Sequence, residues 1–224
     1  MRICLTAIDQ PLTDAWMEAT HDLDFVTVVY CPNKTNYINN KMLHEGIFGC
    51  GCQAIVSPAN SYGFMDGGID WLYTKRFGWG VQEKLQKKIK EEYDGELLIG
   101  QAILVETGDA EIPYVISAPT MRVPTVLPKK TVNPYLAARA ALLCAKKNNI
   151  DSIAFPGLGT GVGEVSPKLC ALQMRQAIDD VLAGYLFPVS WHDALDRHTY
   201  LYTGLKTRPD TIVDVEPPFD PELN

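Results

Sequence analysis

No apolar run in the 224-residue chain reaches the length a helix needs to cross a membrane, so no membrane-spanning helix is expected. A secretory leader is not expected either. The segment Met1 to Ile8 meets the acidic Asp9 before a leader-like apolar core can form, and a cytoplasmic location is expected. Positive charge is scarce: 20 Lys and Arg stand against 27 Asp and Glu, giving a net charge of −7. Phosphate-backbone binding needs clustered bases, so no general nucleic-acid surface is expected. Lys84, Lys87, Lys88 and Lys90 do recur at helical spacing, but beside Glu83, Glu91 and Glu92, as on a solvated helix face. The six cysteines include no pair with the two-residue gap of a zinc knuckle. Cys31, His44, Cys50 and Cys52 are ligand types for zinc, yet Cys-x-Cys is the wrong spacing. Thiols in small core positions, with no metal and no cofactor, are expected. Repeats and low-complexity segments are absent too.

What is present suits one folded domain. A hydrophobic content of 46% at this length can bury a full core. Apolar runs alternate with helix-like segments. Strands are expected at 2–8, 24–30, 53–57, 101–106, 113–118 and 151–155, and helices near 13–20, 40–47, 68–92, 133–148 and 166–184. Asn133 followed by Pro134 reads as an N-cap with proline in the first turn, and Ser166-Pro167 repeats the signal. Gly78 and Gly80 suggest that the third helix is two. After residue 206 the composition turns acidic and proline-rich, and 207–224 reads as a loosely held tail appended to a domain at 1–206.

Two glycine clusters carry the chemistry. Phe155-Pro156-Gly157-Leu158-Gly159-Thr160-Gly161-Val162-Gly163 follows an apolar strand and precedes a helix. Glycines let successive backbone N–H groups turn inward around anionic oxygens, as a phosphate requires. The pattern is neither a dinucleotide fingerprint, since Val162 and Glu164 stand where glycine is needed, nor a P-loop, since no Gly-Lys-Ser/Thr follows. An ordinary strand-to-helix turn is the plain alternative. The second cluster has the same design: Ala54-Ile55-Val56-Ser57-Pro58-Ala59-Asn60, then Asp66-Gly67-Gly68-Ile69-Asp70 opening a helix. In an open α/β sheet, loops at the carboxyl ends of strands line the ligand crevice, so both clusters could serve one diphosphate.

These residues, in this order and spacing, resemble the macrodomain family over about residues 1 to 184. The resemblance implies a three-layer α/β/α fold with a central mixed sheet, and a pocket for ADP-ribose or an ADP-ribosylated target. It departs from the family pattern at Ser57 and Pro58, at Met65 and Asp66, and at Gly163, where many members place an aromatic over the distal ribose. The stretch at about 10–50 is an insertion relative to a minimal member.

By resemblance Asp9, at the end of the first strand, reads the adenine amino group; the simpler reading is a turn cap. Asn60 can pair with a ribose hydroxyl as donor and acceptor, or can close an Asx-turn. Asp70 matches the carboxylate that positions water for attack at the anomeric carbon in hydrolytic members, or else serves only the helix dipole, and Asp66 competes with it. Asn60 and Asp70 are thus the candidate catalytic pair. Gly67, Gly68, Gly157, Gly159, Thr160, Gly161, Val162 and Gly163 form the candidate diphosphate cradle. Arg122 is either a phosphate cation or an exposed loop residue, and Gln82-Glu83 matches a glycohydrolase motif only by chance. The implied activity is hydrolysis of a mono-ADP-ribosyl linkage, with a non-catalytic ADP-ribose reader and an ADP-ribose phosphate phosphatase as alternatives.

Overall fold

The computed structural model describes residues 1–32, 37–38, 41–42, 46–58 and 60–205. The expected tail at 207–224 and His44 lie outside them. Four short segments form the centre: β1 (Arg2–Ala7), β5 (Ala54–Ser57), β7 (Tyr114–Ser117) and β8 (Ser152–Phe155). Their side chains are buried almost without alternation. That pattern belongs to parallel strands covered on both faces, because no face is left for polar residues. With β2 (Val26–Tyr30) and β6 (Ile103–Glu106) they make one sheet of order β2-β1-β8-β5-β7-β6. β6 runs antiparallel to β7 and every other pairing is parallel.

Helices close both faces. α1 (Gln10–Thr20), α4 (Asn133–Lys147) and α5 (Pro167–Ile178) bury Leu12, Trp16, Ala141 and Met174 against Leu5 and Phe155. On the other face α2 (Gly68–Phe77), α3 (Gly80–Glu92) and a 3-10 turn at Gly46–Cys50 bury Phe48, Tyr73, Leu85 and Ile89 against Ile55 and Val115. The result is a three-layer α/β/α fold with a mixed sheet. Lys84 and Lys88 on α3 donate to the carbonyls of Glu106 and Leu104 on the edge strand β6, so the basic helix face partly covers a sheet edge.

Several boundaries differ from the sequence reading. α1 begins at Gln10, three residues before the expected start, because Pro11 sits in its first turn, where no donor is required. The helix expected at 40–47 is instead the short strand β4 (Lys41–Met42), paired antiparallel with β3 (Tyr37–Ile38), and then the 3-10 turn. The stretch 68–92 is two helices, as Gly78 and Gly80 suggested, since Gly78 caps α2 at φ 79° with its N–H on the Thr74 carbonyl. Asn133 is the first helical residue of α4 rather than its cap, and its amide donates to the Thr120 carbonyl at 2.8 Å. A last helix, α6 (Trp191–Thr203), was not expected, although Ser190 caps it at the Asp193 N–H and Gly204 ends it in the left-handed conformation.

Candidate functional site

β1, β8, β5 and β7 are neighbours and parallel, so the segments leaving their carboxyl ends emerge along one edge of the sheet. Asp9, the glycine loop after Phe155, the Asn60 to Gly68 segment and the loop around Met121 all lie there. An isolated bridge between Asn60 and Met121, with the Ser61 N–H on the Arg122 carbonyl at 3.1 Å, joins two of these segments. α1 abuts the glycine loop closely: a Cβ on Gly157 would stand 2.8 Å from Leu12 Cδ2.

The glycine loop closes on its own backbone. Val165 N–H donates to the Gly159 carbonyl, Glu164 N–H to Gly161, and Leu127 N–H to Gly163, each at 3.0 Å. The N–H groups of Gly159, Thr160, Gly161, Val162 and Gly163 have no protein acceptor among the described residues. Successive free donors at a loop entering a helix make an anion-binding concavity. Gly161 and Val162 are exposed, and a Cβ at Gly161 would touch nothing. Gly163 is different: its Cβ would lie 2.5 Å from the Gly159 carbonyl oxygen, so the loop packs too tightly there for any side chain, including the aromatic common in the family. Gly67, extended and exposed, caps α2. Gly68 follows at φ +55°, a conformation that disfavours residues with a Cβ, and space is open beside both.

The polar side chains divide sharply. Asp9 is exposed and caps α1, with Oδ1 accepting from Leu12 N–H at 2.9 Å. Asn60 holds its own loop: Oδ1 accepts from the N–H groups of Tyr62 and Phe64 at 3.1 and 3.2 Å, and Nδ2 donates to the Phe64 carbonyl at 2.9 Å. The Asx-turn geometry is therefore present, whatever else the residue does. Arg122 forms a two-pronged pair with Glu96 at 2.6 and 3.0 Å and lies over the Tyr62 ring, so its cation is already partnered. Gln82 accepts from Met65 N–H at 2.7 Å and steadies the same loop, a packing role rather than a motif.

Asp70 is the exception. In the first turn of α2 it is 6% exposed, and its Oδ1 has no hydrogen-bond partner. Burial pushes its carboxyl up to about 7; the nearby Ser57 hydroxyl opposes the shift and the Asp66 charge adds to it. Ser57 approaches without meeting hydrogen-bond geometry, so its Oγ is also buried and unpartnered, as is that of Ser117. Ser57 and Ser117 face each other in register across β5 and β7. Ser117 was not singled out in the sequence. The one available signal was a serine closing each of two otherwise apolar strands.

Among the described residues no group of three or more His, Cys, Asp or Glu side chains could hold a metal ion. Two shallow depressions lie elsewhere, one along α3 at Gln86 and Lys90, the other between α3, β6 and α4, and neither includes a glycine loop. Both are open surface features, the first lined by lysine, glutamate and glutamine and the second mostly by apolar residues such as Ile103, Leu104 and Leu143, whereas the free backbone donors and the unpartnered carboxylate share the sheet edge.

Residues 56–174 match the family model described as Macro domain, more than half of the chain. The protein is a macrodomain. An uncharacterized protein of Aquifex aeolicus is 35% identical over 138 residues, spanning 62% of this macrodomain and 79% of the relative. Among solved structures, the macrodomain of Mycobacterium tuberculosis DarG has a TM-score of 0.52 at 23% identity and covers 60% of this chain and 86% of its own. An Oceanobacillus iheyensis macrodomain solved with ADPR has a TM-score of 0.52 at 20% identity, over 70% and 86%. At those identities the structures establish the fold alone.

Proposed function

We propose that this macrodomain binds ADP-ribose and hydrolyses a mono-ADP-ribosyl linkage, glycosidic or ester, on a macromolecule or metabolite. The observation that carries the reading is Asp70, a buried carboxylate with an unpartnered oxygen at the edge where five consecutive backbone donors are also unpartnered. The Oceanobacillus macrodomain solved with ADPR supports the ligand class.

In this reading the diphosphate rests on the N–H groups of Gly159 to Val162, with Gly67 and Gly68 leaving room opposite. Asp9 keeps Oδ1 on the α1 cap and offers Oδ2 to the adenine amino group. Asp70 then takes a proton from water as that water attacks the anomeric carbon, and returns the proton to the departing group. Its negative charge also stabilises the positive charge developing on the sugar. A carboxyl poised near 7 can do both at neutral pH, because neither protonation state is rare. Asn60 contributes by fixing the loop that precedes α2.

A non-catalytic reader is the second reading, favoured by the engagement of the Asn60 amide within its own loop. Calorimetric titration with ADP-ribose, with AMP and NAD as controls, should give saturable one-to-one binding that Gly161→Glu abolishes. No heat with ADP-ribose would sink both readings. Turnover of a mono-ADP-ribosylated substrate that Asp70→Ala eliminates supports hydrolysis, whereas unchanged affinity with no turnover in either protein leaves the reader.

A further inference from the structure

Away from this edge, Cys4, Cys50 and Cys52 lie close together. Cys50 ends the 3-10 turn, half-buried, and its Sγ lies 2.6 Å from Sγ of Cys4 in the middle of β1. That is about 0.6 Å beyond the roughly 2.05 Å of a disulfide bond. Both are free thiols. Thr6 Oγ1 touches the same Cys50 sulfur at 3.3 Å, and the Arg2 guanidinium donates to the Cys50 carbonyl at 3.1 Å and to that of Gly51. Cys52 is buried and directs its thiol to the Cys50 carbonyl at 3.7 Å, away from the pair. The two partners are unlike: Cys4 is 2% exposed, while Cys50 is reachable from solvent.

We propose that Cys4 and Cys50 form a reversible dithiol site whose oxidant is a hydroperoxide. Cys50 attacks the peroxide, its sulfur gaining one oxygen as the O–O bond breaks and water or an alcohol leaves. Cys4 then attacks that sulfur, the S–O bond breaks, and a second water departs with the proton of the Cys4 thiol. Two thiols are oxidised by two electrons and one peroxide is reduced. A small thiol restores the pair by exchange. The asymmetry of the surroundings assigns the order. The Cys4 S–H donates to the Cys50 sulfur and lowers the pKa of the Cys50 thiol, with Thr6 and the Arg2 charge acting the same way against the opposing effect of burial. Burial pushes Cys52 up to about 11 and Cys170 up to about 12 and raises Cys31 and Cys144 as well, and Cys4 is closed to solvent, which leaves Cys50 as the attacking thiolate.

The test is treatment of the purified, fully reduced protein with stoichiometric hydrogen peroxide, then thiol counting and non-reducing peptide mapping. Titratable thiols should fall from six to four, and the new linkage should join the peptides containing Cys4 and Cys50. Thiol addition should restore six. In Cys4→Ser the reaction should stop at a Cys50 sulfenic acid that dimedone captures, and Cys52→Ser should behave as the parent protein. Six thiols surviving peroxide, or a linkage from Cys50 to Cys31 or Cys52, would overturn the proposal. The mapping of the unmodified sequence decides the matter even if Cys4→Ser fails to fold.

Discussion

The loops that follow β5 and β8 have similar glycine content but are fastened by opposite means. After β5, side chains do the fastening: Asn60 makes three bonds within its loop, Gln82 takes the Met65 N–H, and the Thr74 hydroxyl donates to the Met65 carbonyl at 2.7 Å. After β8, the loop is tied through its carbonyls at Gly159, Gly161 and Gly163, and five of its N–H groups stay unpartnered. A loop held by its side chains has few free polar groups to offer a ligand. One held by its carbonyls keeps its donors available, which is what an anion requires. Asp70 breaks the first pattern, as a buried carboxylate at the end of that loop with Oδ1 unpartnered, like the Ser57 hydroxyl at its start.

The largest effect expected is at Asp70. Its carboxyl is raised from 3.8 to about 7, so the folded state holds the proton more tightly than the unfolded one. That stabilises the fold fully below the unfolded value and is lost as pH rises through 7. Asp70→Asn should therefore stabilise the protein above pH 7, by up to about 4 kcal/mol, and the gain should vanish near pH 4. Denaturant melts at several pH values measure it, and a pH-independent difference would contradict the burial argument. If Asp70 is the base, kcat/KM should rise through an apparent pKa near 7.

Next comes the split within the second loop. Gly163→Ala drives a Cβ against the Gly159 carbonyl and should cost about 1–3 kcal/mol, lowering ADP-ribose affinity with it. Gly161→Ala meets nothing and should leave thermal stability unchanged. Equal melting temperatures would show that the loop relaxes and that its shape is not fixed by this contact. In the first loop, Asn60→Ala removes three hydrogen bonds and should cost about 1–2 kcal/mol. If affinity for ADP-ribose falls at unchanged stability, Asn60 touches ligand and the contrast between the loops is too simple. Smallest is Asp9→Ala, about 1 kcal/mol from the lost cap, which Asp9→Asn should largely restore. A ligand role for Asp9 would appear as weaker binding of the Asn variant despite its intact cap.

Local chemistry made much of this legible. Apolar runs of strand length marked every strand of the main sheet to within two residues, and the glycine clusters marked the loops at its carboxyl edge. Ser166 announced α5 through a cap its neighbours could satisfy. The region around residue 40 misled, because helix propensity there yields to pairing between β3 and β4. Asn60 and Asp70 looked alike as polar residues flanking Gly67 and Gly68. One forms every bond its loop offers, and the other is placed where Oδ1 has none.

The sequence by itself determined the alternation of strands and helices, the family, and where glycine gives the backbone room, since propensity, capping and steric freedom act over a few residues. Only the tertiary structure decided that Asp70 is buried beside Ser57, that Gly163 has no space for a side chain, and that Cys4 meets Cys50 from far along the chain. Desolvation and close contact depend on which distant segments the sheet order brings together, and no local pattern encodes that distance.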